Sequence, residues 1–385
     1  MNQNEQLFSE RVEIYKNAVS FKKPSRIPIH SNAFSSKVCE TGYKLSEALF
    51  DYSIYKDVMR KYQSKYNPDS YQENGFRNPM RIVNALGGAD YILDDDQNTL
   101  NFADASNTQL EDYPLIKENL GRYIFETFIP RKYKGITEEK LLNGLKETAS
   151  LVQYLDEIDV IMKDEFGLPP FSQTPTTFLP FEYIVNGMRG LAGTSMDLRR
   201  QKESLKETMT ALNNYFDPIG AMSRYPDGTS ENTLFDNALV IIAHTILNPK
   251  QFEELYWPYL KEAVQYNADH GKKLFIFAEG SNERLYDFIQ EFPKGTVALQ
   301  LEMDDIFEAK KKIGDKVCLM GGFPHDLLIK GTPEVCRDYA KRLIEELGGA
   351  EGGYIFSTNK MLSFKSDVNE ENLKAVHDFV RNYQL

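Results

Sequence analysis

Lys273-Leu274-Phe275-Ile276-Phe277-Ala278 is a short apolar run that stops at Glu279-Gly280, and it opens the series of segments that decides the architecture. The run reads as a strand, and 282–291 after it as a helix. Thr296-Val297-Ala298-Leu299-Gln300-Leu301 is the next strand, followed by helical period over 306–313. Lys316-Val317-Cys318-Leu319-Met320 comes third, before a helix over 333–347. Gly353-Tyr354-Ile355-Phe356 comes fourth, before a last helix over 370–383. Four strand-helix units in succession predict a parallel α/β architecture.

Helix starts upstream and within the series carry their own signals. Asn248-Pro249-Lys250-Gln251 offers an Asn cap, Pro at the first helical position and Gln at the third, which predicts a helix over 249–268. Thr332-Pro333-Glu334 repeats the device and adds a carboxylate at the positive end of the helix dipole. The first half is less regular. A helix is expected over 5–19, and Arg26-Ile27-Pro28-Ile29-His30 is a candidate first strand whose Pro suits an edge or a strand start. Further helices are expected over 43–51, 53–66, 137–164 and 198–215, with Pro and Gly gathered between 167 and 193. With no polar linker, low-complexity block or internal repeat to divide it, the chain is expected to form one domain over 1–385. That domain would be a (β/α)8 TIM barrel with an N-terminal helical elaboration.

Composition narrows the chemistry. Forty-five Lys and Arg against 57 Asp and Glu leave a net charge of −12, the wrong sign for a surface that gains affinity by releasing counterions from nucleic acid. The three cysteines, Cys39, Cys318 and Cys336, are far apart and form no CxxC, so neither a disulfide framework nor a thiolate zinc knuckle is written here, and a reducing cytoplasm is the expected compartment. The start, Met1-Asn2-Gln3-Asn4-Glu5, is not that of a secretory signal, and no stretch reaches the roughly 20 apolar residues of a membrane span. Gly321-Gly322 does not continue as GxGxxG, and no Walker A pattern occurs. Among 22 Tyr and 24 Phe most belong to the core, leaving some to line an aromatic pocket.

In a parallel barrel the working groups sit just past the C-terminal ends of the strands. Those positions here are Glu279, Glu302 and His325. Neighbouring strands lie about 4.8 Å apart, so two carboxylates and an imidazole at three successive ends are a candidate zinc shell with an open fourth position. The same residue types also serve as loop caps and ion-pair members. His244, after the run Ala238-Leu239-Val240-Ile241-Ile242-Ala243, reads as a core or loop imidazole, and Asp94-Asp95-Asp96 as a solvated turn without the glycine of a calcium loop.

From Asn248 onward the chain resembles the uroporphyrinogen decarboxylase superfamily. The resemblance rests on Asn248-Pro249-Lys250-Gln251-Phe252-Glu253-Glu254 leading to Pro258, and on Gly322-Phe323-Pro324 running to Gly331-Thr332-Pro333-Glu334. Gly352-Gly353-Tyr354-Ile355-Phe356 and Asn369-Glu370-Glu371-Asn372-Leu373 complete it, with weaker support from Arg26-Ile27-Pro28 and Thr41-Gly42-Tyr43. The Arg-rich N-terminal motif of the true decarboxylases is missing, so the corrinoid-dependent methyltransferase branch is the better likeness. Thiol methyltransferases of that branch hold zinc with a His-x-Cys pair and a distant Cys, where this chain has Phe277-Ala278-Glu279 and Thr358-Asn359. The aryl methyl ether O-demethylase component is therefore what the resemblance implies. Such a methyltransferase uses zinc held by carboxylates and a histidine, carried over here to Glu279, Glu302 and His325, with Asp304 or Asp305 as alternatives to Glu302. Glu279 and His325 are the implied catalytic pair. The implied reaction moves a methyl group from a vanillate- or guaiacol-like compound to the cobalt(I) of a corrinoid (cobalamin) on a separate protein. A tetrapyrrole decarboxylase and a non-enzymatic, partner-binding barrel are the alternatives.

Overall fold

The computed structural model describes residues 2–71, 80–88, 91–97, 99–102, 106–216, 228–348 and 351–385. Its strands are β1 (Tyr91–Asp94) and β2 (Thr99–Phe102), an antiparallel hairpin, and β3 (Asn237–Ile241), β4 (Leu274–Ala278), β5 (Val297–Leu301), β6 (Cys318–Phe323) and β7 (Tyr354–Thr358), a parallel sheet in that order. One row of the register runs Ile241, Ala278, Leu301, Gly321, Phe356. Parallel bridges carry the sheet on past both edges, from Ile29 to Phe356 and from Ser172 to Phe235 and Thr177 to Leu239. The Asp69 amide donates to Ile29 O at 2.9 Å and adds a further stave. The architecture is a TIM barrel, with 26–30 supplying the expected first stave.

Alternation along the staves separates lumen from shell. Phe275, Phe277, Ala298, Cys318, Met320 and Ile355 form the inner cluster, while Leu274, Ile276, Leu299, Leu301, Leu319 and Phe356 join the helices outside. The N-terminal helix Gln3–Val19, started by the Asn2/Glu5 capping box, brings Ile14, Tyr15 and Ala18 against that inner cluster, and Ala18 O accepts the Gly353 amide. It thereby closes the pole where the strands begin. There the wholly buried Asp69 carboxylate holds Arg11, Arg26 and Arg381.

Two expectations change in detail, and one element is new. The third strand of the series starts at Cys318 because the Lys316 and Val317 amides still bond Ile313 O, and it runs on through Gly321 and Gly322 at φ 103° and 86°. A Cβ on Gly321 would stand 3.2 Å from Leu301 O, so glycine permits both the backbone angle and the close approach. The helix expected over 198–215 is two, Gly190–Arg200 and Lys202–Phe216, parted at Gln201, which donates its amide to Asp197 O and accepts Leu205 N. The β1–β2 hairpin was not foreseen. Asp94 closes β1 and its Oδ1 accepts the amides of Asp96 and Gln97, which are exposed, while Asp95 holds the Ser46 amide and hydroxyl, so the acidic run is a turn given only in part to solvent. Among the described residues no helix is long and apolar enough to cross a membrane.

Candidate active site at the barrel mouth

Glu279 follows β4 directly, its amide extending the ladder to Ile241 O at 3.0 Å, and Glu302 follows β5 in the neighbouring register position. The two carboxylates therefore leave adjacent strands side by side, both half-buried. Glu302 is already engaged, for its Oε2 accepts the Gly280 amide at 2.8 Å. Gly280 O in turn accepts the Met303 amide. The loops after β4 and β5 are laced together by these bonds and by Asp304, whose Oδ1 takes the Asn282 amide at 2.7 Å and the Ser281 hydroxyl at 3.1 Å. Burial pushes the Asp304 carboxyl above the usual carboxylate range against those hydrogen bonds.

His325 opens the helix His325–Lys330, with its amide fixed by Asn359 Oδ1 at 3.0 Å. Its Nε2 lies 3.2 Å from Asp367 Oδ1, while Asp367 Oδ2 accepts the amides of Ser363 and Phe364. The three side chains expected to share one zinc are thus not brought together: Glu302 caps the Gly280 amide and His325 pairs with Asp367. Nor does either alternative complete a shell. Asp305 is the N-cap of Ile306–Ile313, accepting from Phe307 and Glu308, and Asp304 is tied to Asn282. Among the described residues no group of three or more His, Cys, Asp or Glu is placed to hold a metal ion. As they stand, these residues do not fit a three-ligand zinc site.

His244 is the buried imidazole that its sequence context suggests. Asn282 Nδ2 donates to the Ala278 and Gly280 carbonyls, so its Oδ1 accepts from His244 Nε2 at 2.9 Å, and burial lowers the ring's pKa to about 4. Sequence gave no hint of Glu182, which lies in the Pro/Gly-rich stretch. Its buried carboxylate accepts the Ile242 and Ala243 amides at the end of β3, and the Tyr256 hydroxyl at 2.5 Å. Burial raises its pKa, and the hydrogen bonds oppose that shift. Each of these groups anchors a loop of the mouth.

Known proteins share both sequence and shape with this chain. The pattern of the uroporphyrinogen decarboxylase (URO-D) family matches residues 130–383. A uroporphyrinogen decarboxylase of Chlorobaculum parvum is 24% identical over 57% of this chain and 61% of its own length. That of Pseudomonas fluorescens is 25% identical over 60% and 64%, and that of Chlorobium phaeobacteroides 28% over 35% and 38%. The matched regions thus span less than two thirds of these relatives. A solved structure, a methyltransferase from Methanosarcina mazei, superposes with a TM-score of 0.61 at 12% identity over 97% of this chain and 98% of that one, a likeness of fold.

Proposed function

The chain belongs to the uroporphyrinogen decarboxylase (URO-D) family, and from that premise we propose that it is a methyltransferase of the corrinoid-dependent branch, taking a methyl group from a methoxylated aromatic and releasing the phenol. The observation that carries this reading is the pair of carboxylates at the ends of β4 and β5. Glu279 and Glu302 stand side by side there, whereas Arg11, Arg26 and Arg381 are gathered on Asp69 at the far pole, Arg189 is spent on Asp197, and Arg284, after β4, is turned to the carbonyls of His244 and Leu247. An acidic pair that keeps a negative charge repels a tetrapyrrole that carries many carboxylates of its own, and it tolerates a neutral ether. The methyltransferase fold over nearly the full chain accords with this reading.

In the proposed reaction the bond between methyl carbon and ether oxygen breaks, the electron pair stays on oxygen, and the methyl group passes to a reduced, cobalt(I) corrinoid on a partner protein docked over the open mouth, which as co-substrate would supply the electron pair of the new carbon–cobalt bond. The charge growing on oxygen needs a hydrogen-bond or proton donor within reach. Glu279 is the proposed catalytic residue: it is the member of the pair that carries a proton, which it delivers to that oxygen, while Glu302, held by the Gly280 amide, stays ionised. His325, held by Asp367, is the proposed second group at the rim. No step is routed through zinc, because the side chains do not fit its shell. Incubating the protein with a porphyrinogen and, separately, with methoxylated aromatics plus reduced cobalamin tests the reading. Loss of carboxyl groups from the porphyrinogen without any methyl transfer would replace it with the decarboxylase.

A further inference from the structure

Along β5 and β7 the lumen changes character in one step of two residues. Near the closed pole, His30, Phe171 and Phe275 form an aromatic floor, with ring centroids 5.1, 5.9 and 4.9 Å apart pairwise. Two residues along the chain from His30 and Phe171, on the segments that flank the sheet, stand Asn32, whose Nδ2 donates to Thr358 O at 3.4 Å, and Gln173. On β5 Ala298 gives way to Gln300, and on β7 Ile355 to Ser357. One further step out stand Glu302 on the same strand line as Gln300 and, beyond Phe277, Glu279. A band of neutral polar side chains therefore lies between an aromatic floor and an acidic rim.

That band is unsatisfied. Gln300 is wholly buried, yet neither its Nε2 nor its Oε1 has a hydrogen-bond partner. The Oγ of Ser357, the Oδ1 of Asn32 and the Oε1 of Gln173 are likewise buried without one. An unpaired buried polar group costs about 1–3 kcal/mol, and apolar residues at these positions would avoid that cost. Orphaned polar atoms on two lumen-facing side chains, Gln300 and Ser357, with those of Asn32 and Gln173 on the flanking segments, point to a ligand that pairs with them. The orphaned atoms are acceptors except for the Gln300 amide and the Ser357 hydroxyl, so the ligand must bring a donor. The acidic pair at the rim favours a neutral ligand over an anion.

We propose that Gln300, with Ser357, Asn32 and Gln173, forms a subsite that receives the hydroxyl group of a neutral phenolic ligand, whose ring rests above the aromatic floor. The subsite deepens the methyl-ether reading, on which it rests for the rest of the ligand: the substrate would be a hydroxylated methoxyarene of the guaiacol kind. A site built to pair a hydroxyl discriminates strongly against the analogue lacking it.

The test is equilibrium binding to the full chain by calorimetry, using guaiacol, veratrole (hydroxyl methylated), 2-methoxybenzoate (an anion in its place) and phenol. Guaiacol should bind at least ~10-fold tighter than veratrole and 2-methoxybenzoate. Gln300→Leu should erase that preference while melting no lower than the wild type, since it removes an unpaired buried amide. If that variant fails to fold, Ser357→Ala should cut the preference by about threefold. Equal affinity for guaiacol and veratrole in the wild type, an undiminished preference in the variants, or no binding of either hydroxylated ligand would overturn the subsite. Phenol binding that Gln300→Leu abolishes, without methyl transfer from guaiacol, would keep the subsite and remove the methyl-ether reading. Equal methyl transfer from guaiacol and veratrole in both proteins would do the reverse.

Discussion

The carboxylate of Glu302 accepts the amide of Gly280 at 2.8 Å, so a side chain at the end of β5 fastens the loop that leaves β4. Glu279 is the residue before that glycine, and its position at the mouth depends on the bond. Glu302→Ala leaves a half-buried amide without its partner and should cost about 1–3 kcal/mol in urea unfolding, with Glu302→Gln close to the wild type. An unchanged midpoint in the alanine variant would show that the loops are fastened elsewhere.

Metal content follows from the same geometry. With Glu302 on Gly280 and His325 on Asp367, the protein purified in the presence of a chelator should carry well under one zinc per chain, and His325→Ala should not alter that content. One tightly held zinc, lost in His325→Ala, would mean that His325 leaves Asp367 to complete the shell that the sequence suggests.

Stability rests heavily on the closed pole. Asp69 is wholly buried and bonded to three guanidinium groups, and its neighbours hold its carboxyl far below the usual range despite burial. Asp69→Asn would leave three positive charges around a neutral amide and should cost about 3–5 kcal/mol. Calorimetric melting measures it, and a loss below about 1 kcal/mol would contradict the assignment.

Acid sensitivity has a definite sign. Burial lowers the His377 pKa from 6.5 to about 4, while the Nδ1 contact with Tyr66 O opposes the shift. Between those two values the unfolded chain binds a proton that the native state does not. Stability is therefore full above about 6.5 and is lost as pH falls towards 4, at up to about 1.4 kcal/mol per pH unit for this residue. His30 and His244, lowered to about 3 and about 4, act in the same direction, whereas Glu40, raised to about 7 by burial, opposes them. Comparing wild type with His377→Gln isolates the single group: the wild type should lose stability more steeply between pH 6 and 4.5. Parallel profiles would rule the residue out.

The parallel half of the barrel was legible because β-branched and apolar runs, Pro/Asn caps and helical periods agree there; Ile306–Ile313 falls where its periodicity puts it. The stave at 26–30 showed as a short apolar run, whereas that at 171–177 joins by two isolated bridges, too few for a strand pattern to mark it, and the β1–β2 hairpin is too short and too exposed to stand out. At the site, the sequence located Glu279, Glu302 and His325 at the mouth, because position past a strand end is a one-dimensional property. Where their side chains turn is not: Gly280 and Asp367 competed for them as partners. Gln300 escaped notice for a related reason. An amide inside an apolar run reads as an interruption until the fold shows which face it takes.

The measurement that bears most directly on the central claim is methyl transfer itself. Reduced cobalamin, the protein and guaiacol are mixed under anaerobic conditions, while the cobalt spectrum and the released catechol are followed together. The account predicts that cobalt(I) is converted to methylcobalt in step with catechol release, and that Glu279→Gln slows both by about 100-fold or more. Efficient methyl transfer to a thiol with no response to any methoxyarene, or conversion of a porphyrinogen in its place, would contradict it.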